Sequence, residues 1–366
     1  LDVLLRWLPP GISRALRMRI SAPWDFQVLA AATTWTVNGV NVFSANLVRG
    51  LVKSGVPAQV LLTEHDTQLV TTVEAELPRP EGVPFAQLPV GPTQGWGAHW
   101  SAMLRCLEEA APCVYIPNSD WRHSCICPQL SDQVVVVGVV HSDDPLHYDH
   151  VRRLGRYWNV IVAVSSAIAS HTARLCPEIA DRIVTIPIGV RIPAKRAVRT
   201  RSSGSLRLIY HGVLKQHEKR VLDLPRIVQS ALDLGVPVVL SIAGAGPDEA
   251  ELRQACATLV DRGAIRFLGL ISPDTVATLL ERHDVYVLPS EFEGMPNALI
   301  EAMGRGCVPV VSRMESGIPE LIGDGDNGFM VPMGDSAAFA ECLKVLWESP
   351  ERRERMSARA HTAVRN

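Results

Sequence analysis

Residues 285–312 read VYVLPSEFEGMPNALIEAMGRGCVPVVS, and the fold is decided there. Val285 to Pro289 is a short apolar run of the kind that forms a strand buried on both faces. Glu291 and Glu293 follow in a polar loop. Pro296 suits the first turn of a helix, and Asn297 to Met303 continue it. Val308 to Ser312 is a second buried strand. Gly294 permits close backbone approach, and the amides around Asn297 and Ala298 are unspent donors at a helix N-terminus, a setting that favours phosphate. Glu301 lies inside the helix, about 7 Å further along at the helical rise. One ligand could therefore meet a carboxylate, a set of amides and a second carboxylate in succession. Carboxylates accept hydrogen bonds from vicinal diols, which suits a hexose at one end and a ribose at the other. For either glutamate alone, complementing the helix dipole is the simpler reading; for the whole string it is not.

Working outward, the same strand–helix alternation fills the second half of the chain. Strands are expected at Leu206–Tyr210, Val238–Ala243 and Ile265–Leu268, with helices at Arg220–Leu234, Asp248–Arg262 and Pro273–Arg282. The first half repeats it. Phe26–Thr34 reads as a strand, residues 35–41 as a turn, Val42–Lys53 as a helix and Val56–Thr63 as a strand. Val134–Val140 is an apolar run that ends abruptly in His141-Ser-Asp-Asp-Pro145, a buried strand opening into a polar loop. Asn159–Val164 and Arg182–Ile188 are further strands, with a helix over Ser166–Leu175. Residues 193–204, PAKRAVRTRSSG, lack apolar periodicity and read as a linker. The expected architecture is α/β, with two Rossmann-like, doubly wound parallel-sheet domains facing a central cleft. Their expected bounds are 21–193 and 194–366, after a basic amphipathic segment at 1–20. That segment could pack peripherally or lie on anionic lipid.

A chain of 366 residues exceeds what one core usually organises. Its 36 basic and 38 acidic side chains leave a net charge of -2, which supplies no field for nucleic acid. Eight cysteines spread over this length are not a disulfide framework, and Cys125-x-Cys127 has no second pair at zinc spacing. A cytoplasmic protein is the expectation, peripheral at the inner membrane face if residues 1–20 bind lipid. Leu1 in place of Met, and an end at Asn366 soon after a charged helical stretch, suggest trimmed termini. Gly244-Ala-Gly246 precedes Pro247 and an acidic helix start, so it reads as a packing turn. No G-x-G-x-x-G follows a strand in either half, which disfavours a nicotinamide dehydrogenase.

The Glu293–Glu301 spacing is the E-x7-E pattern of retaining GT-B glycosyltransferases, and its setting, residues 284–322, resembles glycosyltransferase family 4 (glycosyl transferases group 1). SIAGAGPDEAELR (241–253), IRFLGLIS (265–272) and HGVLKQHEKRVLDL (211–224) extend the resemblance. VNGVNVFSANLVRGL (37–51), HSDD (141–144) and IPIGV (186–190) extend it more loosely into the first half. It implies transfer of a hexose from a UDP- or GDP-sugar to an acceptor hydroxyl in glycan, polysaccharide or glycolipid synthesis. The nucleotide sugar is then a co-substrate; no cofactor and no metal is implied. The resemblance assigns donor-sugar hydroxyls to Glu293, the ribose to Glu301, and sugar and diphosphate to the amides of Gly294, Met295, Asn297 and Ala298. Lys219 would neutralise the leaving diphosphate, and Gly39 and Val40 would approach it from the first domain. His141 would contact the sugar or a sugar, glycan or lipid-linked acceptor, with acceptor choice expected around residues 64–130.

One position departs from the family pattern. The family usually has Arg after the glycine corresponding to Gly212, and this chain has Val213. Valine cannot replace a bidentate phosphate ligand. Arg220, beside Lys219, and Lys215 are nearby cations, but compensation by either does not follow from the sequence. The departure motivates one alternative, a non-catalytic nucleotide-sugar-binding protein; a GT-B epimerase or phosphorylase is a further alternative.

Overall fold

The computed structural model describes residues 26–36, 38–63, 79–91, 94–118, 120–197 and 204–365. The basic segment expected at residues 1–20 lies outside them. The chain divides into two compact units, one running to Gly189 and one from Val190 onward. Each has its own parallel sheet.

In the first unit the strands are β1 (Gln27–Ala32), β2 (Ala58–Leu62), β3 (Phe85–Gln87), β4 (Cys113–Ile116), β5 (Val134–Val140), β6 (Val160–Ala163) and β7 (Ile183–Thr185). They lie in the order β3-β2-β1-β4-β5-β6-β7. The second unit holds β8 (Leu206–His211), β9 (Val238–Ala243), β10 (Ile265–Gly269), β11 (Val285–Leu288), β12 (Val308–Ser312) and β13 (Phe329–Val331), in the order β10-β9-β8-β11-β12-β13. All their pairings are parallel. Both sheets are therefore doubly wound, and the strand order reverses between β1 and β4 and between β8 and β11. In such sheets ligands bind beyond the carboxyl ends of the strands at the point of reversal.

Every residue of β11 and β12 is buried, as their continuous apolar runs require of strands covered on both faces. The helix after β1 starts at Gly39, three residues before the expected Val42, because the Asn38 side chain accepts from the Asn41 amide and caps it. The helix expected from Arg220 starts instead at Asp223. Arg220 itself is left-handed (φ 48°) and ends a one-turn helix, Gln216–Lys219, that periodicity cannot detect.

Gly244 and Gly246 are packing positions. A Cβ at Gly244 would stand 1.9 Å from the Gly212 carbonyl oxygen, and one at Gly246 would stand 2.3 Å from that of Leu214. The turn after β9 thereby clamps the loop after β8. Leu214 N donates to the Ala245 carbonyl (2.9 Å) and Gln216 N to Asp248 Oδ2 (2.6 Å).

Candidate active site

The reversal between β8 and β11 sets two chain segments side by side. Beyond β11 the loop carries Glu293, which is 6% exposed. Its Oε1 accepts from Ser290 Oγ (2.7 Å) and from Lys219 Nζ (2.9 Å). Lys219 comes from the loop after β8, so two site residues expected from separate motifs form one ion pair. The contact is set by backbone as well as charge. Glu291 N (2.8 Å) and Phe292 N (3.2 Å) both donate to the Glu218 carbonyl, and Gly317 N donates to the Gly294 carbonyl (2.7 Å). Met295 is buried beneath this loop.

The helix Asn297–Gly304 has Pro296 at its N-cap and no side-chain cap. Its first-turn amides, those of Asn297 and Ala298, are left as donors at the positive end of the dipole. Asn297 Oδ1 is buried without a hydrogen-bond partner among the described residues. One turn further, Glu301 stands with its side chain 31% exposed, facing His211 at the tip of β8 (Glu301 Oε2 to His211 Nε2, 4.0 Å). Burial holds the Glu301 carboxyl above its usual range, against the opposing pull of Arg305. Burial pushes the His211 imidazole down to about 4, so it is neutral at physiological pH.

The loop after β8 carries Val213, where the sequence resemblance leads one to expect arginine. The Val213 carbonyl accepts from Tyr210 Oη (2.8 Å). The two nearby basic side chains are engaged elsewhere. Lys215 pairs with Glu218 (2.6 Å). Arg220 binds Asp223 (2.8 Å) and Glu291 (3.1 Å). Arg220 thus braces the Glu291–Glu293 loop, and Lys219 is the cation that reaches Glu293.

In the first unit, Gly39 and Val40 open the helix capped by Asn38. Asn118 follows β4 in a left-handed conformation (φ 53°) that asparagine tolerates well. Its Nδ2 donates to the Ala31 carbonyl (2.9 Å) and to Ser44 Oγ (3.0 Å), tying β4 to β1 at the reversal. His141 Nε2 lies 3.4 Å from Asn118 Oδ1, and the His141 ring meets Phe43 edge-on at 4.8 Å. Burial, aided by His147, pushes the His141 imidazole down to about 3. Sequence reasoning missed Ser290, His211 and Asn118. Ser290 and His211 lie inside the motif segments 285–312 and 211–224 without being singled out there, and Asn118 is a lone polar residue beyond a strand end with no motif signal.

Comparison with known proteins falls on the same segments. Residues 205–349 match the family model described as Glycosyl transferases group 1. Over 206 residues the chain is 37% identical to a putative colanic acid biosynthesis glycosyltransferase, WcaL, of Escherichia coli K12; the match covers 54% of this chain and 50% of that one. It is 28% identical over 257 residues to N-acetyl-alpha-D-glucosaminyl L-malate synthase of Bacillus anthracis, covering 65% and 66% of the two chains. The chain thus spans between half and two thirds of the length of these relatives. A crystal structure of S. aureus TarM containing UDP superposes with a TM-score of 0.75 at 10% identity, over 93% of this chain and 96% of that one. Fold and matched segment together define a GT-B protein of the glycosyltransferase superfamily.

Proposed function

We propose that the protein is a retaining, metal-independent family 4 glycosyltransferase, moving a hexose from a UDP- or GDP-sugar to an acceptor hydroxyl in glycan, polysaccharide or glycolipid synthesis. The Lys219–Glu293 contact at the strand reversal of the second unit carries this reading. Residues 194–366 would bind the donor. Residues 21–193 would choose a sugar, glycan or lipid-linked acceptor, with His141 touching sugar or acceptor and the amides of Gly39 and Val40 serving the diphosphate. Colanic acid glycosyltransferase WcaL and UDP-bound TarM, among the similar proteins, favour a nucleotide-sugar donor.

The chemistry follows from valence. An ammonium has three donors, and Glu293 takes one, so Lys219 can hold Glu293 and still donate to diphosphate oxygens. A carboxylate has about four lone-pair sites, so Glu293 can accept from Ser290 and Lys219 at Oε1 and also from a donor-sugar hydroxyl. As the bond from C1 to the diphosphate oxygen breaks, negative charge grows on the leaving group. Lys219 and the uncapped amides of Asn297 and Ala298 stabilise it more in the transition state than in the ground state. The acceptor oxygen bonds to C1 on the face the diphosphate leaves, and its proton passes to the departing phosphate oxygen. Positive charge at the leaving group comes from Lys219, so activity should persist after chelation; loss of turnover with EDTA would contradict this. Glu293→Ala should abolish transfer with the fold intact, read as product formation beside a thermal melt.

Among the described residues no helix is long and apolar enough to cross a membrane. None of the eight cysteines is in a disulfide, which fits the reducing cytoplasm proposed for the protein; peripheral membrane contact is proposed only through residues 1–20. A second reading, a nucleotide-sugar binder without turnover, is favoured by Val213 and by the engagement of Lys215 and Arg220 with carboxylates. Calorimetric binding of UDP or GDP with no donor turnover would select it.

A further inference from the structure

The Glu301 end of the site holds polar groups that the fold does not use. Among the described residues His211 Nε2 is buried without a hydrogen-bond partner, on a side chain only 11% exposed. It faces Glu301 Oε2 across 4.0 Å, too far for a hydrogen bond between them. A backbone hydrogen bond to Ala298 engages the imidazole. Tyr286 Oη donates to the His211 carbonyl (3.2 Å), and the two rings pack at 5.4 Å. Glu301 is fixed on the helix Asn297–Gly304, whose next turn brings Arg305 Nη1 to the Glu301 carbonyl (3.3 Å).

An ionised carboxylate beside a neutral imidazole repels phosphate and accepts from hydroxyls. Two adjacent hydroxyl oxygens, each about 2.8 Å from one of the facing atoms, fit across such a gap. A buried polar atom left unpartnered costs about 1–3 kcal/mol, so a ligand that satisfies it gains affinity and one that cannot is rejected.

We propose that His211 is a specificity-determining residue that, with Glu301, clamps the cis-diol of the nucleotide ribose and so selects ribonucleoside over deoxyribonucleoside diphosphates. The inference rests on the donor-binding reading above and extends it to a residue outside the E-x7-E stretch. A vicinal diol on the transferred sugar has the same chemistry, and the test separates the two.

Calorimetry of the full chain with UDP, GDP and their 2′-deoxy and 3′-deoxy forms tests the clamp. The wild type should bind the ribonucleotide at least about 10-fold more tightly than either deoxy form, the worth of one good hydrogen bond to a charged or buried group. His211→Phe keeps the ring and removes the nitrogen; the ribo/deoxy ratio should fall toward one. His211→Gln returns a polar atom near Nε2 and should recover part of the ratio, and it is the variant to read if His211→Phe fails to fold. An unchanged ratio in either variant, while Glu301→Gln loses it, overturns the role of His211 and leaves the transferase reading standing. Weaker binding of UDP-sugars but not of UDP in His211→Phe overturns the ribose in favour of the transferred sugar. A wild type that binds no nucleoside diphosphate removes both this inference and the reading beneath it.

Discussion

Glu293 and Glu301 are the same side chain at the two ends of one E-x7-E stretch, yet the fold treats them oppositely. Glu293 is 6% exposed and already paired, with Lys219 and Ser290 both on Oε1. Glu301 is 31% exposed on its side chain, and His211 faces it at 4.0 Å without bonding to it. The contrast separates two tasks. A carboxylate held by a lysine from another loop is oriented before any ligand arrives, as preorganised catalysis requires. A carboxylate facing an imidazole nitrogen that bonds to nothing among the described residues carries its desolvation cost until a ligand supplies hydroxyls, as selective binding requires.

If that division holds, the largest effect belongs to Glu293. Glu293→Ala should lower turnover by at least about 10²-fold, the loss seen when one preorganised polar group at a reacting centre is removed. Lys219→Ala should cost nearly as much activity and, unlike a change at Glu301, destabilise the fold by about 3 kcal/mol, because it takes the ammonium away from a buried carboxylate. The double variant should lose little more than the worse single one, since the two act as a unit. Additive losses in kinetics and urea unfolding would break the pairing.

Glu301→Gln should behave differently, weakening ribonucleotide binding by about 10-fold while leaving thermal stability equal or higher. The sign follows from its raised pKa. The protonated carboxyl favours the fold, so that contribution is present below the ordinary carboxylate pKa and is lost as pH rises through the higher folded value. The stability gap between Glu301→Gln and the wild type should thus be wider at pH 7 than at pH 4.

The smallest effect is an acid-side slope from His211, whose ring faces Glu301, Arg305 and Tyr286. Its imidazole is held down to about 4 against an ordinary 6.5, so its stabilising contribution is complete above 6.5 and lost as pH falls toward 4. His211→Phe should flatten the decline in that window by at most about 1.4 kcal/mol per pH unit, measured by denaturant unfolding at stepped pH.

How far the sequence carries this comparison depends on the residue. β5, β11 and β12 are legible because a parallel strand buried on both faces must be a continuous apolar run, and both sheets follow from their alternation with helices. Gly39 and Val40 read as turn residues because the Asn38 cap that draws them into the helix is a single side-chain hydrogen bond. Arg220 reads as helical because nothing local marks its left-handed backbone; Asp223 and Glu291 engage its guanidinium, and the second of these is distant in sequence. Glu293 and Glu301 were legible as a spaced pair. Their different environments were not, because Lys219 and His211 reach them across the sheet reversal, and no local pattern records a contact between chain segments so far apart. The final strand β13 and the helix Ser336–Glu348 likewise carry no motif that singles them out, whereas Pro350–Ala363 is legible as the charged helical stretch near the end of the sequence.

The most direct test of the central claim is nucleoside diphosphate release from a panel of UDP- and GDP-sugars, with and without a saccharide acceptor, by the wild type and by Glu293→Ala. The account predicts release from at least one donor, acceleration by an acceptor, and loss of both in a folded Glu293→Ala protein. Release that is equal in the two proteins, or absent across the whole panel, would contradict it.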